Sequence, residues 1–168
     1  MSCLLCTKAI SENNWQLQDF IILKRKKKLL CDICASEFKQ IDKKVCCTTC
    51  EKDNILGICE DCRQWQVKGY KKLSNHAIYC YNPMAKSYMK EYKFRGRYEV
   101  RCIFQESLAQ LIIKQQCQMI VPIPVTKQTL VVRGFNQVEG LLEKINYCSV
   151  LSCNEETKSV QSLKTRIE

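Results

Sequence analysis

The chain has 168 residues, of which 46% are apolar and 14 are cysteine, and its formal net charge is +10. That length suits one ordinary domain, or a small one joined to a medium one, and the apolar share excludes a disordered polypeptide. No stretch approaches the roughly 18 uninterrupted apolar residues of a membrane span, and the opening MSCLLCTKAISENN lacks the layout of a secretion signal, so a cytoplasmic protein with reduced thiols and no membrane insertion is expected.

Four Cys-x-x-Cys pairs come first along the chain: Cys3 and Cys6, Cys31 and Cys34, Cys47 and Cys50, Cys59 and Cys62. In a reducing compartment such pairs are more often metal ligands than disulfides. One Cys-x-x-Cys turn sets two thiolates on an edge of a tetrahedron, and a second turn supplies the other edge, as Zn²⁺ requires. Four pairs therefore make two zinc sites. Pairing between sequence neighbours is preferred, because it needs no crossing; an interleaved, cross-braced pairing is the alternative. Cys46 adjoins Cys47, but only Cys47 has the two-residue spacing to Cys50. All-cysteine sites leave no open position for substrate, so both zincs are expected to be structural, holding a segment too small to bury its own core.

Between the first two pairs, LKRKKKLL places five basic residues in a row, from Lys24 to Lys28. It reads as a solvated flank, with a phosphate-contacting patch as the alternative. Cysteine pairing ends at Cys62, which puts a boundary near residues 65–70. Residues 1–66 form the cysteine-rich part, and residues 67–168 read as helix and strand.

NPMAKSYMKEYKFRG predicts a helix with Asn82 as N-cap, Pro83 at the first helical position and Gly96 as the stop. Ala85, Tyr88, Met89 and Tyr92 share one face; Lys86, Lys90, Lys93 and Arg97 share another. With Arg95, that basic row is a candidate nucleic-acid surface, and the interleaved aromatics could stack on bases. They read equally well as the core side of an amphipathic helix. EVRCIFQESLAQLIIKQQC predicts a second helix, with Val100, Ile103, Phe104, Ser107, Leu108, Leu111 and Ile112 as a wide buried stripe. QMIVPIPV reads as a buried strand running into a loop. TKQTLVVRG follows as loop, and a third helix starts at Asn136 with Glu139 three residues on, a capping-box pattern. Helix, strand, loop and helix in that order suggest an α/β unit. Open α/β sheets bind ligands at such a loop, which makes Lys127, Arg133 and Gly134 a candidate phosphate corner; an ordinary polar loop is the alternative. The single histidine, His76, reads as a surface or core residue. No nucleophile–base constellation or carboxylate pair can be assembled, so no catalytic residue is assigned.

Four Cys-x-x-Cys pairs, then YCYNPMAKSYMKEYKFRGR, then VPIPVTKQTLVVRGFNQVEGL, occur in that order. The chain from Cys3 to about Leu142 resembles the ComF family of late competence proteins, of the ComFC type. RGFNQ at residues 133–137, after VPIP at 121–124, is the most specific element, and KFRGR at residues 93–97 agrees. The resemblance implies an N-terminal double zinc ribbon followed by a type I phosphoribosyltransferase-like α/β domain. It also implies work in natural transformation, on incoming single-stranded DNA or in DNA repair. The family pattern continues with a strand ending in two acidic residues and a Thr-Thr-Gly turn that binds phosphoribosyl pyrophosphate. Here no acidic pair precedes such a turn, since Glu155 and Glu156 followed by Thr157 lack the glycine. The second domain is therefore expected to be incomplete, the chain a C-terminally truncated form, and phosphoribosyl pyrophosphate a ligand only of a full-length form. Three functions are weighed: a non-catalytic ComF-type protein contacting DNA or a competence helicase, a phosphoribosyltransferase, and a zinc-ribbon scaffold that binds another protein.

Overall fold

The structure is a computed structural model that describes residues 1–10, 28–70 and 74–153. Of the basic run, only Lys28 lies within them, where it pairs with Asp32 at 2.6 Å; Lys24, Arg25, Lys26 and Lys27 lie outside the described residues. Two compact units divide the chain, Met1–Glu91 and Tyr92–Glu168. This division follows backbone packing and falls inside a helix, whereas the division near residue 66 follows cysteine spacing.

The first unit contains α1 (Asp32–Ser36), α2 (Glu60–Val67) and most of α3 (Pro83–Phe94). Both short helices start directly after a cysteine: Cys31 caps α1 and Cys59 caps α2, each with extended backbone. Around the first group of cysteines the core is made of the ligand-type residues themselves. Cys3, Cys34 and Ile10 are buried, with Leu5, Leu30 and Met84 packed against them. A second small cluster sets Phe38 edge-on to Tyr79 and Tyr88, at centroid distances of 6.0 and 6.4 Å. So little apolar burial would leave a unit of this size marginal without a cross-link or a metal.

Helix α3 forms as its sequence dictates. The Asn82 side chain accepts from the Ala85 N–H at 2.9 Å, Pro83 opens the helix, and Gly96 lies just past its end with φ of +66°. Tyr88 and Tyr92 are fully buried, while Ala85 and Met89 are half-buried.

The second unit contains a 3₁₀ turn (Tyr98–Arg101), α4 (Cys102–Gln115), α5 (Lys127–Arg133) and α6 (Gln137–Leu141). Two expectations are corrected here. QMIVPIPV forms no strand: a buried strand needs partners on its edges, and among the described residues one backbone bond crosses it, from the Cys148 N–H to the Ile120 carbonyl at 2.9 Å. Among the described residues there are isolated bridges and no strands, so a mixed or helical architecture stands where a sheet was expected. TKQTLVVRG, in turn, is α5 rather than loop. The Thr126 hydroxyl accepts from the Thr129 N–H at 3.1 Å, and Gly134 ends the helix in the left-handed region with φ of +81°. A good cap at each end outweighs the weak helix preference of Thr129, Val131 and Val132.

Of the wide stripe expected around α4, Val100 is fully buried and the residues on α4 are half-buried, while the buried positions of α4 itself are Gln105 and Ala109. The Gln105 amide donates to the Gly140 carbonyl at 2.8 Å and to Glu143 at 2.9 Å, tying α4 to α6. Gly140 is required by this approach, because a Cβ there would lie 2.4 Å from the Tyr92 hydroxyl and 2.9 Å from the Tyr98 ring. On helix propensity alone Gly140→Ala would stabilise by about 1 kcal/mol. The contact reverses the sign, and urea unfolding is expected to show a loss of about 1–3 kcal/mol.

Glu143 accepts from Gln105 and forms a two-pronged pair with Arg101. Gln105 first, then Arg101, hold its carboxyl below the usual carboxylate value. A depressed folded value means the stabilisation is present above the unfolded value, about pH 4.3, and is lost as pH falls through the folded one. Melting temperature should drop over that acid window in the parent, and drop less in Glu143→Gln.

Candidate functional site

The eight paired cysteines converge into two groups, Cys3, Cys6, Cys31 and Cys34 in one, and Cys47, Cys50, Cys59 and Cys62 in the other. Within each group the sulfurs all lie within 4.8 Å of one another. Cys6 and Cys31 approach to 3.6 Å, Cys50 and Cys59 to 3.6 Å, and Cys47 and Cys62 to 3.9 Å. A tetrahedral metal with bonds of about 2.3 Å to sulfur needs edges of about 3.8 Å. A disulfide needs about 2.05 Å, and all of these cysteines are free thiols. Either group could hold one metal ion, and together they fit a double zinc ribbon.

The two groups are built from the same two pieces. In the first piece, the Cys3 N–H donates to the Lys8 carbonyl and the Thr7 N–H to the Cys3 carbonyl. The Cys47 N–H repeats this with Lys52, and the Glu51 N–H with Cys47. The residue after each pair, Thr7 or Glu51, takes a positive φ, +62° and +57°. In the second piece the leading cysteine is the residue before a helix, Cys31 for α1 and Cys59 for α2. This internal repeat is visible in the sequence only as recurring Cys-x-x-Cys, because its bonds are backbone bonds that several residue types can make.

The sulfurs are electrostatically unequal. Against the upward pull of burial, backbone N–H groups of Cys6, Cys31 and Leu5 bring Cys3 down to about 6. The Cys50 N–H does most to bring Cys47 to about 6. Burial and then the neighbouring sulfurs raise Cys34, and push Cys62 up to about 12. Each group thus favours one thiolate and resists the next, as crowded like charges must. A divalent cation would relieve that crowding and release protons as it bound.

Cys46 is buried but stands outside the group, its thiol directed to the Lys43 carbonyl at 3.7 Å. His76 is not a ligand either; its Nδ1 lies 3.2 Å from Glu51, whose other oxygen accepts from the Ala77 N–H at 2.6 Å and pairs with Lys43. Asn75 adds a bond of 2.8 Å to the Cys50 carbonyl. Residues 75–77 therefore brace the turn that carries Cys47 and Cys50, a role the sequence did not signal.

The basic residues separate. Lys86 and Lys90 are exposed on α3. Arg97 is half-buried and paired with Glu99 at 2.9 Å. Lys93 and Arg95 line a cleft of about 470 Å³ together with Gln128 and Arg133 of α5. Of the phosphate corner, Lys127 opens α5, Arg133 ends it, and Gly134 caps it. Six residues of helix separate the two cations by about 9 Å along the axis, so they do not converge. Arg133 instead donates to the Lys93 carbonyl at 2.9 Å and to the Gln137 side chain.

The remaining residues of RGFNQ are also occupied structurally. Phe135 stacks on Tyr92 at 5.1 Å and packs on Tyr98 at 4.8 Å. The Asn136 side chain accepts from the Val138 N–H and donates to Glu139 at 3.0 Å. The Gln137 carbonyl accepts from the Tyr92 hydroxyl at 2.9 Å.

Two four-cysteine groups that could each hold a metal ion, followed by a helical unit folded around an Arg-Gly-Phe-Asn-Gln turn, define a cysteine-rich protein with two candidate metal sites. Its relatives place it further. Over 170 residues it is 33% identical to competence protein ComFC of Streptococcus pneumoniae, covering 100% of this chain and 75% of that one. Over 175 residues it is 28% identical to competence protein ComFC of Bacillus subtilis, covering 98% of this chain and 72% of that one. The chain belongs to the ComF family of competence proteins. No family model matches it, and no solved structure matches it significantly. Among the described residues, no helix is long and apolar enough to cross a membrane.

Metal content checks the two groups separately. Cys34→Ser and Cys62→Ser are each expected to lower bound metal from two ions to one, and the double variant to lower it to none, by native mass spectrometry. Loss of both ions in either single variant would mean that the groups are not independent.

Proposed function

We propose that this chain is a cytoplasmic competence protein that handles incoming single-stranded DNA, with two structural zinc ions in its cysteine groups. The observation that carries this reading is the 33% identity, along the whole chain, to a protein named for competence. The charge of +10 and the basic row Lys86, Lys90, Lys93, Arg95 and Arg97 supply the attraction to phosphate. Zinc is assigned to the four-sulfur groups because it takes four thiolates in closed tetrahedral sites. There it would fix the turns and leave the surface chemistry to the side chains around them. A competence helicase or another transformation protein is the protein partner this reading implies.

Phosphoribosyl transfer is the second reading, favoured by the order VPIP then RGFNQ. It needs a phosphate-cradling turn preceded by carboxylates, and these 168 residues contain none. In this reading Lys127 and Arg133 contribute separate charges rather than one corner, and transfer awaits a chain that carries that turn.

Titration of the zinc-loaded chain with a labelled oligothymidine tests the first reading. Log affinity should fall linearly with log salt, by about 0.7 for each phosphate neutralised. Lys90→Glu with Lys93→Glu should weaken binding by at least about tenfold while circular dichroism stays unchanged. Affinity that is flat with salt, or indifferent to the double charge reversal, would remove direct DNA contact through this row.

A further inference from the structure

We propose that the cleft at the C-terminal end of α3, walled by α5, is a nucleotide subsite: Lys93 and Arg133 take one phosphate of a single strand, and its base lies on Phe94. This rests on the strand-handling reading above and narrows it from a row of charges to one pocket.

Two cations, Lys93 and Arg133, are the starting point, since no carboxylate among the described residues neutralises them. Three other cations of the second unit do have carboxylate partners: Arg97 with Glu99, Arg101 with Glu143, and Lys144 with Glu106. The cleft is lined by Lys93, Arg95 and Arg133 and by no carboxylate. Among the described residues Lys93 has no acidic partner. The bonds of Arg133 go to neutral acceptors, a carbonyl and an amide oxygen, so among the described residues no carboxylate compensates its charge. Burial, then the nearby Arg133 charge, hold Lys93 below its ordinary ammonium value; burial likewise lowers Arg133. Two half-buried cations that disfavour each other gain most from a shared anion.

The other walls specify the rest of the ligand. Phe94, the last residue of α3, is 77% exposed, and Val132 on α5 is 83% exposed, so an apolar rim adjoins the cations. Gln128 brings an amide that can donate to a phosphate oxygen or to a base edge. A volume of about 470 Å³ falls in the range of small-ligand pockets. An anion joined to a planar ring meets both requirements, and base stacking on an exposed aromatic tolerates any sequence. The pinning of Arg133 to the Lys93 carbonyl also fixes the geometry before a ligand arrives, which lowers the ordering cost of binding.

The test uses the full zinc-loaded chain, labelled oligothymidine and thymidine monophosphate. Lys93→Gln should raise the oligonucleotide Kd about tenfold and make the salt slope shallower by about 0.7. Phe94→Ala should raise Kd at least about fivefold with the slope unchanged. Lys144→Gln, the same charge change outside the cleft, should alter it less than about twofold. Oligonucleotide binding that ignores both Lys93→Gln and Phe94→Ala would overturn the subsite and leave strand binding elsewhere. Sensitivity to Lys93→Gln with none to Phe94→Ala would overturn the base contact and reduce the cleft to an anion patch. If the parent binds no oligonucleotide, the strand-handling reading fails; monophosphate binding lost in Lys93→Gln would then assign the cleft to free nucleotides and overturn the strand as its occupant.

Discussion

Four sulfurs within 4.8 Å of one another cannot all be thiolates without a cation between them. That constraint organises the first unit. Each group joins a turn of fixed hydrogen bonding to the start of a short helix, and at the first group Ile10, Leu5, Leu30 and Met84 pack onto the sulfurs. Burial here is a consequence of ligand convergence, where in a larger domain convergence would follow from burial. The unpaired-thiol state is poised accordingly, with one easily ionised sulfur beside one that resists ionisation in each group.

The second unit depends on a turn in which every residue has a structural task. Arg133 ties α5 to the end of α3, Gly134 supplies the left-handed backbone, and Phe135 fills an aromatic cluster. Asn136 caps α6, and the Gln137 carbonyl receives the buried Tyr92 hydroxyl. Burial, then Tyr98, raise the Tyr92 phenol well above its ordinary value, so it stays neutral and donates. A motif that reads as a ligand loop is, in this unit, chiefly the joint that holds three helices. What ligand chemistry remains belongs to the charges this joint sets side by side rather than to the motif as a whole.

Legibility in the sequence followed the range of the forces involved. Helix α3 was readable to its ends, because Asn82, Pro83 and Gly96 act within one turn of the backbone. The cysteine pairs were readable because metal-ligand spacing is local, and the capping residue of α6 for the same reason. Helix α5 is not legible locally, because β-branched residues mask two good caps. QMIVPIPV has the composition of a strand without being one, because a strand is a property of its neighbours, which no local window contains. Gln105 carries no local signal, because its role lies in bonds to Gly140 and Glu143, 35 and 38 residues away in sequence. The cleft mixes residues 93–95 with residues 128–133, and that pairing exists only once α3 and α5 are packed.

The two cysteine groups differ in the length of chain that each must close. Twenty-four residues separate Cys6 from Cys31, and eight separate Cys50 from Cys59. Chain entropy makes the longer closure dearer by about 1 kcal/mol, a factor of about five. The order of synthesis runs the opposite way, since Cys3 and Cys6 leave the ribosome first yet must wait for Cys31 and Cys34. If both groups bind metal, chain entropy alone would let the later group fill ahead of the earlier one when metal is scarce. Maturation would then proceed from the middle of the chain outward, with the N-terminal turn the last part to lock.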